Sequence, residues 1–364
     1  MNKFLWVLAL VVVLDAVVFR SGWYATILST DTVQGHNQQL IAQLEEMPPT
    51  PTAYVLLLGD SQLTEGFNAG VASAHVIEHG LRFLPGGSPG TGLREWCYFL
   101  EEIDPDANRY RAVVLTFPSF RKRAPATRDF DDIARDADVL APVVTTRALI
   151  DLIGTAPTFV DRLALAPRVV VSAWNYRSDL LDLARAPRRR WLDYEERRSS
   201  FGLPMYGGYA GNPDNLAGLS WDGAARSLRF PEHFPDARRR ELEGEMRPTN
   251  ADLDDAADTF AATWVERIVR RYETGSSRLI LIRLPSSPVP AAFDESNLPE
   301  AGFIARARTR RNVTIVPEDA FANLERPDRF FDAHHLNADG RRELTRQMTK
   351  RLVDLLEDGR IRQH

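Results

Sequence analysis

The sequence predicts an α/β fold built around a parallel β-sheet. Continuous apolar runs bounded by turn residues are typical of strands that are buried on both faces of such a sheet. Segments with helical periodicity lie between these runs, and an alternation of strands and helices is the pattern of α/β folds. The strands predicted in this way are 54–58, 81–84, 111–117, 277–285 and 313–316, and the helices include 93–103 and 256–274.

The composition excludes several classes of protein. Hydrophobic residues make up 44% of the 364 residues, which is enough for a large buried core. A net charge of −5 argues against general nucleic-acid binding, which requires a basic surface. Cys97 is the single cysteine, so no intrachain disulfide can form and a cysteine-based metal site is not expected. We interpret Cys97 as a small residue of the core.

The amino-terminal segment predicts a membrane anchor. Residues 4–19 are apolar except for Asp15, and the following Trp23 and Tyr24 suit the membrane interface. The apolar run alone is shorter than the roughly 20 residues that a spanning helix needs. No Ala-x-Ala cleavage site follows, so we expect an uncleaved transmembrane helix within 1–28. Asp15 has two interpretations, since it could pair with Arg20 or face a membrane-embedded partner.

Changes in composition along the chain indicate five segments. Residues 29–53 would form a linker in which a helix at 37–46 is stopped by prolines. The strand–helix alternation is lost after about residue 125 and returns near 256. The predicted organisation is therefore an anchor (1–28), the linker (29–53), the first part of a catalytic domain (54–125), a mainly helical insertion or lid (126–255) and the second part of the catalytic domain (256–364).

Ser61 is a candidate nucleophile at the end of the first predicted strand. The apolar run ends abruptly in Gly59-Asp60-Ser61. Residues at the carboxyl ends of parallel strands lie where open α/β sheets bind their ligands. A helix that begins after this turn would direct its amides toward negative charge developing beside Ser61. The alternative is an ordinary turn in which Asp60 or Ser61 only caps the helix.

Asp332 and His335 lie on the loop before the last predicted helix, 338–357. A histidine placed there can accept a proton from a serine while the aspartate orients its imidazole ring. The Asp-x-x-His spacing selects His335 rather than the adjacent His334. A metal site formed by these side chains is the rival interpretation, but it lacks a fourth ligand and leaves Ser61 without a role. We therefore expect neither a metal nor a cofactor.

The two motifs together resemble the SGNH (GDSL-type) hydrolase superfamily. Gly59-Asp60-Ser61 followed by Gly66 is similar to its first sequence block, and Asp332-x-x-His335-Leu336-Asn337 is similar to its last. The resemblance implies a three-layer, flavodoxin-like sandwich with a central parallel sheet and a Ser61–His335–Asp332 triad. The chain is similar to the membrane-anchored branch that includes the Dlt-system D-alanyl transfer protein and the alginate O-acetylation proteins.

The resemblance also implies an oxyanion hole. The backbone amides of Ser61 and Gly90 would form it, with either glycine of the Gly86-Gly87 pair as an alternative to Gly90. Typical members carry Gly-x-Asn-Asp in a third block, and the Asn side chain donates to the oxyanion. This chain has Thr116-Phe117-Pro118-Ser119 there, so Ser119 is the candidate replacement donor. Loss of one such donor typically costs about 100- to 1000-fold in rate.

The resemblance and the predicted anchor together imply a function. A serine triad acts by acyl transfer through an acyl-Ser61 intermediate. We expect an O-acyltransferase or esterase that acts on a cell-envelope polysaccharide or glycan. It would be anchored in the inner membrane with a periplasmic catalytic domain, beside a multi-span membrane O-acyltransferase. The alternatives are a membrane-tethered hydrolase of lipids or small esters, and a non-catalytic assembly protein that keeps the fold.

Overall fold

The structure is a computed structural model that describes residues 2–29, 32–48, 53–121, 130–199, 209–222, 227–232, 234–245, 255–288 and 300–361. The end of the predicted proline-rich linker, 49–52, lies outside the described residues. The same is true of several stretches of the predicted insertion, namely 126–129, 200–208, 223–226, 233 and 246–254.

Contacts divide the chain into two compact units. The helical unit comprises 1–48, 94–105 and 126–207, and the sheet unit comprises 49–93, 106–125 and 208–364. The strands are β1 (Tyr54–Gly59), β2 (Arg82–Gly87), β3 (Ala112–Phe117), β4 (Ser220–Asp222), β5 (Ser227–Arg229), β6 (Arg278–Arg283) and β7 (Val313–Ile315). The α-helices are α1 (Asn2–Leu14), α2 (Val33–Glu46), α3 (Ser61–Gly66), α4 (Ala69–His75), α5 (Leu93–Ile103), α6 (Phe130–Leu140), α7 (Thr146–Gly154), α8 (Phe159–Leu165), α9 (Pro167–Val170), α10 (Arg177–Arg185), α11 (Pro187–Ser199), α12 (Asp236–Glu245), α13 (Asp255–Thr274), α14 (Gly302–Ala307) and α15 (Ala338–Ile361).

Five parallel strands form the central sheet, in the order β2-β1-β3-β6-β7. Leu57 of β1 lies opposite Pro85 on one side and Val114 on the other. Val55 to Leu58 of β1 are at most 1% exposed, which explains why the apolar run is continuous rather than alternating. The predicted α/β fold with a parallel sheet is confirmed, and the architecture is consistent with a three-layer arrangement.

The direction of the strand order reverses at β1. The chain passes from β1 to its neighbour β2, and then to β3 on the opposite side of β1. Open α/β sheets bind ligands at such a switch point, outside the carboxyl ends of the strands. Ser61 follows β1 and therefore lies at this edge of the sheet.

β2 is longer than the sequence predicts and includes both Gly86 and Gly87. These residues lie opposite Leu58 and Gly59 in the parallel ladder. A Cβ on Gly86 would lie 2.7 Å from the Leu57 carbonyl oxygen, and a Cβ on Gly87 would lie 2.6 Å from Thr64 Cγ2. Close packing, rather than a flexible loop, therefore accounts for this pair of glycines.

The amino-terminal segment of the helical unit is helical but not uniform. α1 is followed by a π-helical segment, Asp15–Arg20. Asp15 is buried, and its carboxylate accepts hydrogen bonds from Arg20 Nε at 2.9 Å and from the Ala173 amide at 2.8 Å. The pairing of Asp15 with Arg20 is thus confirmed. None of the helices in the described chain is both long and apolar enough to cross a membrane, so the transmembrane helix stays a prediction.

The segment predicted to be mainly helical contains α6 to α12 and also a pair of strands that the sequence does not predict. β4 and β5 pair in antiparallel fashion, with Trp221 opposite Leu228. Strands of three residues are too short to produce a periodicity that separates them from loops.

The packing around Gly59 generates the first prediction. A Cβ at this position would overlap Thr116 Oγ1 and lie 2.7 Å from Leu63 Cβ. Gly59→Ala should therefore destabilise the sheet unit by about 1–3 kcal/mol, because β1 and α3 would have to separate. The measurement is the urea midpoint followed by tryptophan fluorescence.

Gly70→Ala is the matched control in the same unit. Gly70 is exposed in α4, and its Cβ would make only an ordinary contact, 3.4 Å from Asn68 Oδ1. This variant should be neutral or slightly stabilising. Equal midpoints for Gly59→Ala and the wild-type chain would contradict the packing argument.

Candidate active site

Ser61 is the first residue of α3 and follows β1 after a single turn residue. Asp60 is the N-cap of the helix, and its Oδ1 accepts a hydrogen bond from the Gln62 amide at 2.9 Å. Asp60 therefore shapes the turn, and Ser61 begins the helix at the carboxyl edge of the sheet. The strand, the close-packed Gly59 and the capped helix together determine the position of the serine side chain.

The structure brings Ser61, His335 and Asp332 together in one hydrogen-bonded chain. His335 Nε2 lies 2.8 Å from Ser61 Oγ, and His335 Nδ1 lies 2.7 Å from Asp332 Oδ2. An ionised carboxylate only accepts hydrogen bonds, so Nδ1 carries the imidazole proton and donates a hydrogen bond to Asp332. Nε2 then has a free lone pair for the Ser61 hydroxyl proton. This is the arrangement that activates a serine as a nucleophile.

The backbone of its own loop holds Asp332 in place. The Oδ1 atom accepts hydrogen bonds from the amides of His334 at 2.8 Å and His335 at 2.6 Å. One carboxylate oxygen is thus occupied by the backbone, which leaves the other directed at the imidazole ring. The His334 side chain is exposed, and it is His335 that contacts Ser61, as the spacing predicted.

Phe331 and Arg238 support the histidine from the side. The Phe331 ring stacks on the His335 ring, with the centroids 5.6 Å apart and the planes 15° from parallel. The Phe331 amide donates to the His335 carbonyl oxygen at 3.0 Å. Arg238 of α12 donates a hydrogen bond to the Phe331 carbonyl oxygen, and its guanidinium lies 5.9 Å from the Phe331 ring centroid. These contacts restrict the rotation of the imidazole ring.

Arg341 joins the two halves of the triad. It is buried in the first turn of α15, and its Nη1 donates to the carbonyl oxygens of Thr64 at 2.9 Å and Glu65 at 2.8 Å. The helix that begins with Ser61 is therefore attached to the helix that follows His335. Neither Arg341 nor Phe331 was identified from the sequence, because a lone arginine or phenylalanine beside a motif carries no local signal of its partner.

Asp332 and His335 each stabilise the charged form of the other. Burial alone would raise the pKa of Asp332, but hydrogen bonds and charge from His335 outweigh it, and the pKa lies below its usual value. Burial would likewise lower the pKa of His335, but the Asp332 carboxylate outweighs it and raises the pKa. The imidazolium that forms when Ser61 is deprotonated is thus stabilised.

Glu65 is a second carboxylate that acts on His335. It lies one turn after Ser61 on α3, and its charge adds to the rise in the pKa of His335. Burial raises the pKa of Glu65 itself, while a hydrogen bond from Tyr209 opposes this rise. The Arg341 guanidinium lies 5.0 Å from the centroid of the Tyr209 ring. The sequence carries no local signal of this role of Glu65, because its position near the imidazole depends on the tertiary fold.

The candidate oxyanion donors differ in their surroundings. The Ser88 amide donates to the Gly59 carbonyl oxygen at 2.9 Å, which holds the loop after β2 against the turn that precedes Ser61. Gly90 lies on this loop, is exposed, and has a φ of +72°, which favours glycine. The backbone amides of Ser61 and Gly90 have no hydrogen-bond acceptor among the residues that the structure describes.

The third block offers no side-chain amide. Pro118 stands where the Gly-x-Asn-Asp motif of the superfamily that the sequence resembles has asparagine, and its carbonyl oxygen accepts a hydrogen bond from Ser286 Oγ at 3.3 Å. Ser119 is buried, and its Oγ accepts a hydrogen bond from the Arg121 amide at 3.0 Å. The Ser119 hydroxyl is thus part of the turn after β3.

Within the described ranges, no group of three or more histidine, cysteine, aspartate or glutamate side chains is arranged to hold a metal ion.

A scan against protein-family models and a search of curated proteins both gave no match to this chain. The chemistry of the site must therefore be inferred from its own geometry.

Glu65 generates a prediction on pH dependence. General-base catalysis needs neutral His335, so the rate should rise as the pH passes the pKa of His335. Glu65→Gln removes a negative charge that raises this pKa, so the rise should move to lower pH, by up to about one unit. The measurement is kcat/KM for p-nitrophenyl acetate as a function of pH.

Glu78→Gln is the control for the change in net charge. The Glu78 side chain is 80% exposed in the same unit and is not one of the carboxylates, Asp332, Glu65 and Asp60, that raise the pKa of His335. Its pH profile should match that of the wild-type chain. A Glu65→Gln profile that is unchanged, or is displaced to higher pH, would show that Glu65 does not act on the histidine.

Proposed function

We propose that the chain is a membrane-anchored, SGNH-type serine acyltransferase or esterase that acts through an acyl-Ser61 intermediate. The observation that carries this proposal is the hydrogen-bonded chain from Ser61 Oγ through His335 to Asp332. A scaffold protein has no physical need for this arrangement, which favours the enzyme over the non-catalytic alternative. The strand order β2-β1-β3-β6-β7 also agrees with the flavodoxin-like order of the proposed superfamily.

In the first half-reaction, Ser61 Oγ attacks the carbonyl carbon of an ester as His335 Nε2 accepts the hydroxyl proton. The charge that develops on the carbonyl oxygen is stabilised by the backbone amides of Ser61 and Gly90. The C–O bond to the leaving alcohol then breaks, and this alcohol takes the proton from His335. The product is an ester between the acyl group and Ser61, and Asp332 stays ionised throughout.

In the second half-reaction, His335 accepts a proton from an incoming hydroxyl group, which attacks the acyl-Ser61 carbonyl carbon. Ser61 leaves and recovers its proton from His335. With water as the acceptor the enzyme is an esterase, and with a sugar hydroxyl it is an O-acyltransferase. We favour a cell-envelope polysaccharide or glycan as the acceptor or the acylated substrate, by resemblance to the membrane-anchored branch.

The proposed location is the periplasmic side of the inner membrane, with the amino-terminal segment as the anchor. The exposed apolar side chains of α1 support the anchor, because they have no protein partner to cover them within the described chain. A multi-span membrane O-acyltransferase that supplies the acyl group is the proposed partner.

The test first detects the acyl-Ser61 intermediate and then asks which hydroxyl group accepts the acyl group. The full chain is mixed with p-nitrophenyl acetate, quenched, and examined by intact mass and peptide mapping. An acetyl group on Ser61 is expected, and Ser61→Ala should lose both the adduct and p-nitrophenol release. Adding a soluble oligosaccharide should accelerate deacylation and give an acetylated sugar if a glycan is the acceptor.

Ser227→Ala serves as the control, because Ser227 is an exposed serine of β5 in the same unit. It should acetylate like the wild-type chain. Release of p-nitrophenol that persists in Ser61→Ala would contradict the acyl-Ser61 mechanism. If the chain hydrolyses the ester with water as the acceptor and added sugars do not change the rate, the result would favour the hydrolase of lipids or small esters.

A further inference from the structure

The amino-terminal helix exposes apolar side chains in every direction. All large apolar residues between 10 and 14 are 45–59% exposed, and five consecutive residues cover more than one full turn of a helix. A groove in a protein covers one face of a helix, whereas lipid covers all of them. The exposed large apolar side chains of this segment are Trp6, Val7, Leu10, Val11, Val12, Val13, Leu14 and Val17.

A second apolar set lies on α8 to α11 and the short turn that precedes α10. Soluble monomers scatter large apolar residues singly over the surface, but here they recur on five successive short elements. We call this set the apolar helical surface. Its members are Phe159, Val160, Leu163, Val170, Trp174, Leu181, Trp191 and Leu192, and all are 49–76% exposed.

Polar contacts hold the two sets together within the helical unit. Arg20 Nη2 donates to the carbonyl oxygens of Val169 at 2.8 Å and Val170 at 2.5 Å. The Ala173 amide donates to Asp15 at 2.8 Å. The end of the amino-terminal helical segment therefore packs beside the backbone that carries Val170 and Trp174. A partner that covers the apolar side chains of the amino-terminal helix can therefore also reach Val170 and Trp174 of the apolar helical surface.

The charges around the apolar helical surface suit phospholipid headgroups. Arg162, Arg185 and Arg188 are exposed on the same helices, and Arg189 is also exposed there but is paired with Asp182. Short helices with exposed apolar residues, tryptophans and arginines are typical of segments that lie in the plane of a membrane interface. Tryptophan prefers the boundary between acyl chains and headgroups, and arginine binds phosphate through paired N–H groups.

We propose that α8 to α11 lie on the surface of a phospholipid bilayer. Their apolar side chains contact the acyl chains, and the arginines lie at the level of the headgroup phosphates. This contact is separate from the acyl-transfer chemistry and does not depend on Ser61. It rests on the proposed attachment of the amino-terminal segment to a membrane, and it makes the helical unit a second point of contact with lipid.

Spin labels in the full chain test the proposal. The buried Cys97 is replaced (Cys97→Ala), and single cysteines are introduced by Leu163→Cys, Val170→Cys or Leu192→Cys. Leu10→Cys reports on the amino-terminal segment, and Asp131→Cys, at an exposed position of α6, is the polar control. The labelled proteins are reconstituted in phosphatidylcholine–phosphatidylglycerol vesicles. Collisions with oxygen, which partitions into lipid, are compared with collisions with a water-soluble nickel chelate.

The expected result is a several-fold higher ratio of oxygen to nickel collisions at 163, 170 and 192 than at 131. Water-exposed labels at these sites, with a lipid-exposed label at 10, would overturn the proposal while leaving the anchor intact. Labels shielded from both reagents would mean that a protein, such as a second copy, covers the surface, which also overturns it. A water-exposed label at 10 would refute the membrane attachment itself.

Discussion

The site depends on one constraint, which is that a hydrogen bond of 2.8 Å must join residues 274 positions apart in the chain. Ser61 is positioned by the end of β1, and His335 by the loop before α15. Arg341 connects these elements, because its guanidinium binds the carbonyl oxygens of Thr64 and Glu65. Since charge-assisted hydrogen bonds of a buried arginine are costly to break, the register between α3 and α15 is well defined.

The electrostatics of the site follow from this geometry. A buried imidazole next to a single carboxylate would already favour its protonated form, and here Glu65 and Asp60 add to the effect of Asp332. The cost is that more of the histidine is protonated at a given pH, which lowers the fraction that can act as a base. The benefit is that the imidazolium formed during attack is stabilised. The Glu65–Tyr209–Arg341 contacts thus link the pH profile to the same residues that hold α3 against α15.

The sequence predicted the parts of the fold and site that local chemistry determines. Apolar runs identified the strands of the central sheet, and the motifs around Ser61 and His335 identified three side chains that the fold then brings together. It could not identify Arg341, Phe331 or Glu65, since their contacts arise only after folding. The predicted second strand ends at residue 84, before the Gly86-Gly87 pair, although β2 includes both glycines and close packing against Leu57 and Thr64 requires them.

Mapping of a fluorophosphonate adduct tests the central claim most directly, since this reagent reacts with serines whose hydroxyl is activated by a neighbouring base. A single adduct on Ser61 is expected in the full chain, and none is expected in Ser61→Ala. Asp332→Asn should label roughly 10³- to 10⁴-fold more slowly, because its amide would stabilise the wrong tautomer of His335. An adduct on another serine, or an Asp332→Asn chain that labels as fast as wild type, would contradict the account.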